Sequence, residues 1–351
     1  MGQTKKLWMG FLLGLGCLPV TSHDFTVTRN GQKLYFNITS KVEATAEVTY
    51  KGSIGSHPVC DMEGIIEIPA QVRHNNVVYN ITAIGSKAFS GARGLTGIVL
   101  PASIKKIGDF AFEGCSCLSQ VVFPGNTVML GQGTFFKCKS LKEISFGSDW
   151  KVLDLTPYRW SDSLRVIALP AKVEKVQNLK MLSSLQRVEV DANNPKFSSV
   201  DGVLYSKDGK TLYGVPCDYQ GMLKVKAGTK TITHGALSGC LGITAVVFPE
   251  SLQAFSFRET SRMASLAEIV FKAKEPVVTA YKDGQGIFLL QVTNQDVKII
   301  VPKEAKKLFA RRLVVAQGEY SETVTGVSYQ VGKNELPIAK NIKGVKNIWD
   351  L

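Results

Sequence analysis

The stretch IGDFAFEGCSCLSQVVFP at residues 107–124 decides the fold, because its pattern recurs along the chain. A hydrophobic anchor is followed by glycine, and an aromatic residue stands five positions after the anchor. The same arrangement comes before it at residues 84–101 (IGSKAFSGARGLTGIVLP) and after it at residues 130–147 (LGQGTFFKCKSLKEISFG). A hydrophobic pattern that repeats at a fixed step predicts a solenoid, in which each coil buries its apolar side against the next coil.

The anchors of this repeat lie 23 residues apart. The five equally spaced anchors are Ile84, Ile107, Leu130, Leu153 and Val176. After an insertion the same phase returns at Ile232 and again at Phe255. Because stacked coils place equivalent residues above one another, we expect the anchors and the aromatic residues to form continuous core columns.

A second pattern, apolar-x-x-apolar-x-apolar, predicts one short strand in each coil. Its seven copies end at Leu100, Phe123, Phe146, Leu169, Val190, Phe248 and Phe271. Prolines follow four of them, at Pro101, Pro124, Pro170 and Pro249. The spacing leaves no room for the helices of about 10–15 residues that separate the strands of a dinucleotide-binding fold. The predicted fold class is therefore α/β, a solenoid with one short-stranded parallel sheet.

The repeat resembles the BspA-like, or treponemal-type, leucine-rich repeat. Residues 107–124 are a nearly complete copy of that pattern, and the resemblance covers roughly residues 62–310. It implies a secreted or surface-anchored bacterial protein with adhesin-like relatives, and it brings no catalytic residues. Repeats four and five depart from the pattern at Leu153-Asp154, Ser161 and Val176-Gln177, so we expect an irregular middle.

Five segments are predicted along the chain. Residues 1–22 read as a signal peptide, with a basic start, a short apolar run and small residues before a cleavage point after Ser22; lipid attachment at Cys17 is the alternative. Residues 23–62 form an N-terminal β cap, and residues 63–318 form the leucine-rich repeat solenoid. An inserted β-hairpin, whose strands are joined through Asp208-Gly209, occupies about residues 193–222. One further coil, whose sequence departs from the repeat pattern, is predicted nearby and is called the disguised coil. Residues 319–351 are a C-terminal cap or tail.

Composition excludes several classes of protein. The chain has 351 residues, 44% of them hydrophobic, which excludes a disordered chain, and seven cysteines are too few for a disulfide-stapled scaffold. No catalytic or metal-binding motif stands out among its residues, so we expect no enzyme, no cofactor and no metal. No later segment approaches the roughly 18 apolar residues that indicate a membrane span. The net charge of +13 permits an anionic partner, although we expect no nucleic acid. A basic amphipathic helix is predicted over residues 303–315. Its charged side is interpreted as a solvated face of the cap, and binding to an anionic surface is the alternative.

Three cysteines share one position in the repeat: Cys115, Cys138 and Cys240. We expect a column of small buried thiols there. A disulfide between Cys115 and Cys138, one coil apart, is the alternative.

The outward residues of the predicted strands are the candidate binding surface. The partner-binding residues predicted there are Val99, Gln120, Val122, Glu143, Ser145, Arg187, Glu189, Val247, Glu268 and Val270. Valine is frequent among the outward residues, which either reflects β-propensity or marks a low-charge protein-binding strip with a polar rim. On the second interpretation, Val122→Asp with Val247→Asp abolishes binding and leaves the fold intact.

The resulting hypothesis is an exported recognition module with adhesin-like binding of host or bacterial surface macromolecules. The expected partner is a surface or extracellular-matrix protein, with a glycan as the other option. The alternative is a structural or glycan-binding accessory protein of the cell surface, for which Tyr205, Tyr213 and Tyr219 are candidate contacts.

Overall fold

A computed structural model describes most of the chain between its two ends. The described residues are 23–51, 62–125, 128–253, 263–275, 288–292, 297–317 and 342–345. The predicted signal peptide with Cys17, the anchor Phe255 and most of the predicted tail lie outside them.

An antiparallel cap precedes the first coil. It consists of β1 (Phe25–Arg29), β2 (Gln32–Ser40) and β3 (Thr45–Thr49). The β1–β2 turn is Asn30-Gly31, where both residues have positive φ (49° and 76°), as a two-residue hairpin turn requires. β3 runs parallel to β6 (Val77–Ile84), which also pairs with β5 (Gln71–His74), so the cap continues into the solenoid.

The anchors form a parallel ladder of their own. β6 is followed in the sheet by β8 (Lys106–Ile107) and β10 (Met129–Leu130), and β12 (Val152–Asp154) pairs with β14 (Lys175–Gln177). Ile84 stands opposite Ile107, Ile107 opposite Leu130, and Leu153 opposite Val176. The period of the sequence is thus confirmed as structural register. The repeat pattern predicts one sheet, whereas the anchor strands form a ladder of their own beside it.

The predicted strands form the other ladder. β4 (Glu63–Glu67), β7 (Gly94–Val99), β9 (Gln120–Val122) and β11 (Glu143–Ser145) pair in parallel, and β13 (Val166–Leu169) pairs with β15 (Arg187–Val190). Ile66, Ile98, Val121 and Ile144 share one register and are buried. The apolar alternation in the sequence therefore places one face of each strand in the core.

The insertion contains three strands. These are β16 (Phe197–Val200), β17 (Val203–Ser206) and β18 (Thr211–Gly214), joined in antiparallel fashion, with Asp208-Gly209 in the second turn. β18 then pairs in parallel with β20 (Thr231–Ile232), which sets Leu212 opposite the anchor Ile232. β18 thus takes the place of an anchor strand beside β20.

The second half of the solenoid is built on a five-stranded parallel sheet. Its strands are β19 (Gly221–Lys224), β21 (Ile243–Phe248), β22 (Glu268–Phe271), β24 (Lys298–Pro302) and β26 (Ile342–Val345). β19 is the disguised coil, since Leu223 pairs with Val246 after another step of 23 residues. β23 (Phe288–Val292) and β25 (Leu313–Gln317) form a separate parallel pair.

Helix is scarce in the described residues. The predicted basic helix is shorter than expected: a 3₁₀ turn at Lys303–Ala305 leads into α1 (Lys306–Arg312), after which the chain enters β25. Two further 3₁₀ turns lie at Thr156–Tyr158 and Leu179–Met181. Within the described part of the chain, no helix has both the length and the apolar character needed to cross a membrane.

Two side-chain columns fill the first half of the core. Phe89, Phe112, Phe135 and Tyr158 stack with ring centroids 5.2 Å apart and planes within 5° of parallel. Beside them, the Cys115 thiol donates to the Phe89 carbonyl and the Cys138 thiol to the Phe112 carbonyl, each at 3.1 Å.

The predicted thiol column is present, and Cys115 and Cys138 are not joined in a disulfide. Cys115, Cys138 and Cys240 are all buried. The neighbouring Cys138 thiol and burial raise the pKa of Cys115. In the next coil Ser161 takes the same position, and its hydroxyl donates to the Phe135 carbonyl at 3.3 Å.

The middle of the solenoid is irregular, as the departures in repeats four and five predict. A Cβ on Gly108 or Gly131 would lie 2.5 or 2.6 Å from a backbone nitrogen of the preceding coil, so glycine allows these coils to approach closely. Asp154 replaces glycine at this position, and no backbone ladder joins β10 to β12. The other ladder is interrupted at the same level, between β11 and β13.

Candidate functional site

The strand face, defined as the outward side of β4, β7, β9, β11, β13 and β15, carries an apolar patch. Ile65, Val99 and Val122 are 69%, 51% and 46% exposed on adjacent strands. The register sets Val99 opposite Val122, and Ile65 lies over Gly97, whose missing side chain leaves room for it. Three neighbouring apolar side chains therefore remain in solvent on a regular sheet.

Polar groups surround this apolar patch, and most of the charged ones are acidic. Glu67 stands beside Val99 and forms an ion pair with Arg29 at 3.5 Å. Gln120 and Glu143 are exposed on the next strands, where the register sets them opposite each other. In a chain whose net charge is +13, this face presents carboxylates around apolar side chains.

A groove of about 660 Å³ continues the strand face beyond β11. It opens where the ladder between β11 and β13 is interrupted. Glu143, Ser145, Ala168, Glu189 and Asp191 are among its lining residues. The structure thus brings three predicted residues together in the groove, and the predicted Arg187 stands at its edge, with its guanidinium 3.0 Å from the Glu189 carboxylate.

The predicted site does not extend into the second half of the solenoid. Val247 and Val270 are 4% and 0% exposed and pack with Ile300 in one buried cluster, so the prediction that they face solvent is wrong. Glu268 is partly exposed at the end of its strand, opposite Ala245. Apolar alternation predicts an outward face in solvent only where nothing covers the sheet, and both faces of these strands are covered. Val247→Asp would place a charge in a core, which makes it unsuitable as a binding probe.

The three candidate tyrosines do not share one surface. Tyr205 is buried; its hydroxyl accepts from the Lys226 backbone N–H at 3.1 Å, and burial raises its pKa to about 12. Tyr219 is partly buried against the second core, and burial raises its pKa. Tyr213 alone of the three lines a cleft of about 640 Å³ between the insertion and the anchor ladder, where its ring meets Phe197 edge-on at 5.3 Å.

Asp154, at the interruption of the anchor ladder, is a hydrogen-bonded carboxylate. Burial acts to raise the pKa of Asp154, but hydrogen bonds from Asn178 and from the backbone and hydroxyl of Thr156 outweigh it and hold that pKa below its ordinary value. These hydrogen bonds connect residues of two successive coils, so the Asp154 carboxylate serves the fold. In the described ranges, no group of three or more His, Cys, Asp or Glu residues lies close enough together to hold a metal ion.

Comparison with known proteins gives a family match for part of the chain. Residues 72–198 match the model of the BspA type leucine rich repeat region, in six copies. No curated protein matches the chain.

Several solved structures match the chain at low sequence identity. The pneumococcal vaccine antigen PcpA is 16% identical, with 85% of this chain and 100% of that chain covered and a TM-score of 0.48. A leucine rich cell surface protein of Faecalibacterium prausnitzii is 18% identical, with 85% and 96% covered and a TM-score of 0.35. The T. pallidum leucine rich repeat protein is 19% identical, with 62% and 80% covered and a TM-score of 0.38.

Proposed function

We propose that this chain, whose residues 72–198 form a BspA-type leucine-rich repeat region, is an exported recognition module that binds a surface protein through its strand face. Leucine-rich repeats offer a large, stiff surface, which suits broad contact with a macromolecule. Export is supported by the basic and apolar start of the chain, residues 1–22. We further propose the domain division given above, with the solenoid at residues 63–318 as the binding part.

The observation that carries this proposal is the exposed apolar patch of Ile65, Val99 and Val122. Adjacent apolar side chains on a regular sheet, bordered by polar groups, have the composition of the core and rim of a protein interface. The acidic surroundings, including Glu67 and Glu143, favour a partner that offers apolar side chains flanked by lysine or arginine. Adhesin-like attachment to a host or bacterial surface protein is the role that such a face supports.

A double substitution at the centre of the patch tests the proposal. Val99→Asp with Val122→Asp places two carboxylates in the contact area, and we expect the dissociation constant to rise by about 30-fold or more, the loss of about 2 kcal/mol typical of an interface centre. Immobilised fibronectin, laminin and collagen, together with whole bacterial cells, serve as binding probes in surface plasmon resonance and cell-adhesion assays.

Val152→Asp is the matched control. Val152 has the same 46% exposure as Val122 but lies on the outward side of the anchor ladder. We expect it to bind as the unmodified protein does, with thermal melting of all variants within a few degrees. Equal binding by the double variant, or an equal loss in the control, would show that the strand face is not the site.

A glycan-binding accessory role is the second candidate, and Tyr213 is the observation in its favour. This ring is 43% exposed in a cleft that Lys175, Lys180 and His234 also line. Tyr213→Ala should then remove binding on a glycan array and leave binding to proteins unchanged. Retention of every glycan signal by this variant would exclude the cleft.

A further inference from the structure

The turn face, defined by residues 85–92, 108–115, 131–138 and 154–161, joins successive coils on a third side of the solenoid. Backbone hydrogen bonds run along it, from the Phe89 N–H to the Ala111 carbonyl at 2.8 Å, from Phe112 to Thr134 at 2.9 Å and from Phe135 to Pro157 at 3.0 Å. The turn face therefore keeps a backbone hydrogen bond between coils even at the level where both strand ladders are interrupted.

The backbone is left-handed at the third residue after the anchor in three coils, at Lys87, Phe110 and Gly133, and a second position on this face is left-handed in four coils. This second position is the seventh residue after each anchor, and glycine occupies it at Gly91 (φ 76°) and Gly114 (φ 70°). The next two coils have Lys137 (φ 60°) and Trp160 (φ 67°) there instead. A left-handed conformation costs free energy for a residue with a side chain, and more so for a bulky one. Nothing lies within 4 Å of a Cβ built on Gly91 or Gly114, so a side chain at this position extends into open space.

The two residues that replace glycine take part in a surface cluster of rings and cations, in which Phe110 and Phe136 are partly exposed. Trp160 is 48% exposed and lies 5.3 Å from Phe136, centroid to centroid. Phe136 meets Phe110 edge-on at 6.4 Å. The Lys137 ammonium stands 5.0 Å from the Phe136 centroid and the Arg159 guanidinium 5.4 Å from that of Trp160. We call these five residues the aromatic strip.

The aromatic strip is separate from the core. The buried column of Phe112, Phe135 and Tyr158 lies in the same coils and fills their interior. Lys137 and Trp160 keep the left-handed backbone although each carries a side chain, and both side chains lie on the surface. Glycine serves the same turn in the two preceding coils, so the turn itself requires neither side chain.

The chemistry of the aromatic strip selects a class of ligand. Exposed aromatic faces carry negative π density that attracts the C–H groups on the flat side of a sugar ring. Lys137 and Arg159 add two positive charges. Glu113 stands one coil before Phe136, and its negative charge would repel an anionic ligand at that end of the strip. We infer that the aromatic strip binds an acidic polysaccharide, with sugar rings on Phe136 and Trp160 and carboxylate or sulfate groups at the two cations. This site is on a different face from the proposed protein-binding patch and does not depend on it.

The repeat itself supplies the test variants. Trp160→Gly and Lys137→Gly restore the residue that the other coils use, so we expect melting temperatures equal to or above that of the unmodified protein. Binding of the full chain to polygalacturonate and heparin, measured by isothermal titration calorimetry, should weaken by about tenfold or more in each variant. Dextran, which is neutral, and polyglutamate, which has charge without sugar rings, should bind weakly to the unmodified protein at 0.15 M salt.

Four outcomes would overturn the inference. Unchanged polysaccharide binding by Trp160→Gly would show that the strip is not the site. Equal binding of polyglutamate would mean that charge alone is recognised, and tighter binding of single-stranded DNA would assign the rings and cations to nucleic acid. Weaker polysaccharide binding by the Tyr213→Ala variant would indicate that the glycan site is the cleft at the insertion. The Val99→Asp and Val122→Asp protein should retain polysaccharide binding, which separates this test from that of the proposed function.

Discussion

Tyr158 offers a direct test of how the aromatic column contributes to stability. Its ring stacks on Phe135 like the phenylalanines of the preceding coils, but its hydroxyl is buried and has no hydrogen-bond partner among the described residues. Burial, with a smaller contribution from the Asp154 charge, raises the pKa of Tyr158 well above its ordinary value, so the phenol stays neutral. A buried hydroxyl without a partner costs about 1–3 kcal/mol, whereas the stacked ring is retained in phenylalanine.

Tyr158→Phe should therefore raise the free energy of unfolding by about 1 kcal/mol, after allowance for the small void that the lost oxygen leaves. The expected rise in melting temperature is about 1–2 °C, because the shift per kcal/mol falls as the chain becomes longer. Urea titration followed by circular dichroism, with differential scanning fluorimetry, measures both. Phe112→Tyr is the reciprocal control, because it adds a hydroxyl to the same buried column and should destabilise by about 1–3 kcal/mol. A destabilised Tyr158→Phe protein would refute the reasoning, since the hydroxyl would then have to make a stabilising hydrogen bond.

Three further predictions concern the coil contacts, the thiols and the hairpin turn. Gly108→Ala should lower the free energy of unfolding by about 1–3 kcal/mol in urea titration, because the new Cβ would collide with the preceding coil's backbone. Cys115 and Cys138 should react with a thiol reagent such as dithionitrobenzoate only after unfolding, and rapid reaction of both in the native protein would contradict their burial. The pKa of Asp208 is lowered to about 2 by hydrogen bonds from Ser206 and from the backbone and side chain of Lys210, so the turn's contribution to stability is present above about pH 4 and is lost as pH falls towards 2. Limited proteolysis with pepsin should then cut the turn at pH 2 but not at pH 4, and equal cutting at both values would contradict this.

The regular features of the fold were predictable from the sequence because each depends on spacing. The step of 23 residues placed Ile84 opposite Ile107, and apolar alternation placed Ile98 in the core. The Asp208-Gly209 pair indicated the hairpin. The anchor ladder could not be foreseen in the same way, since a strand of two residues, such as Lys106–Ile107, is too short to show any alternation.

Exposure of the outer strand face was not predictable, because it depends on what lies over the sheet. Val99 and Val247 stand in nearly identical contexts, Ile98-Val99-Leu100 and Val246-Val247-Phe248. The first valine is exposed and the second is buried. No local pattern separates them. The aromatic strip, by contrast, left a signal that alignment of the repeats would have found: Trp160 stands where Gly91 and Gly114 stand in earlier coils.

The hairpin strand β17 has a consequence for how the solenoid is organised. Leu204 belongs to the first hydrophobic core, whereas its neighbours Val203 and Tyr205 belong to the second, so this strand is a partition with one core on each side. The family match ends at residue 198, just before this partition. Because each coil of a repeat protein contacts only its neighbours, whole coils can be gained or lost on one side of β17 without repacking the other. The length of each half can thus change independently, while the partition between them stays as it is.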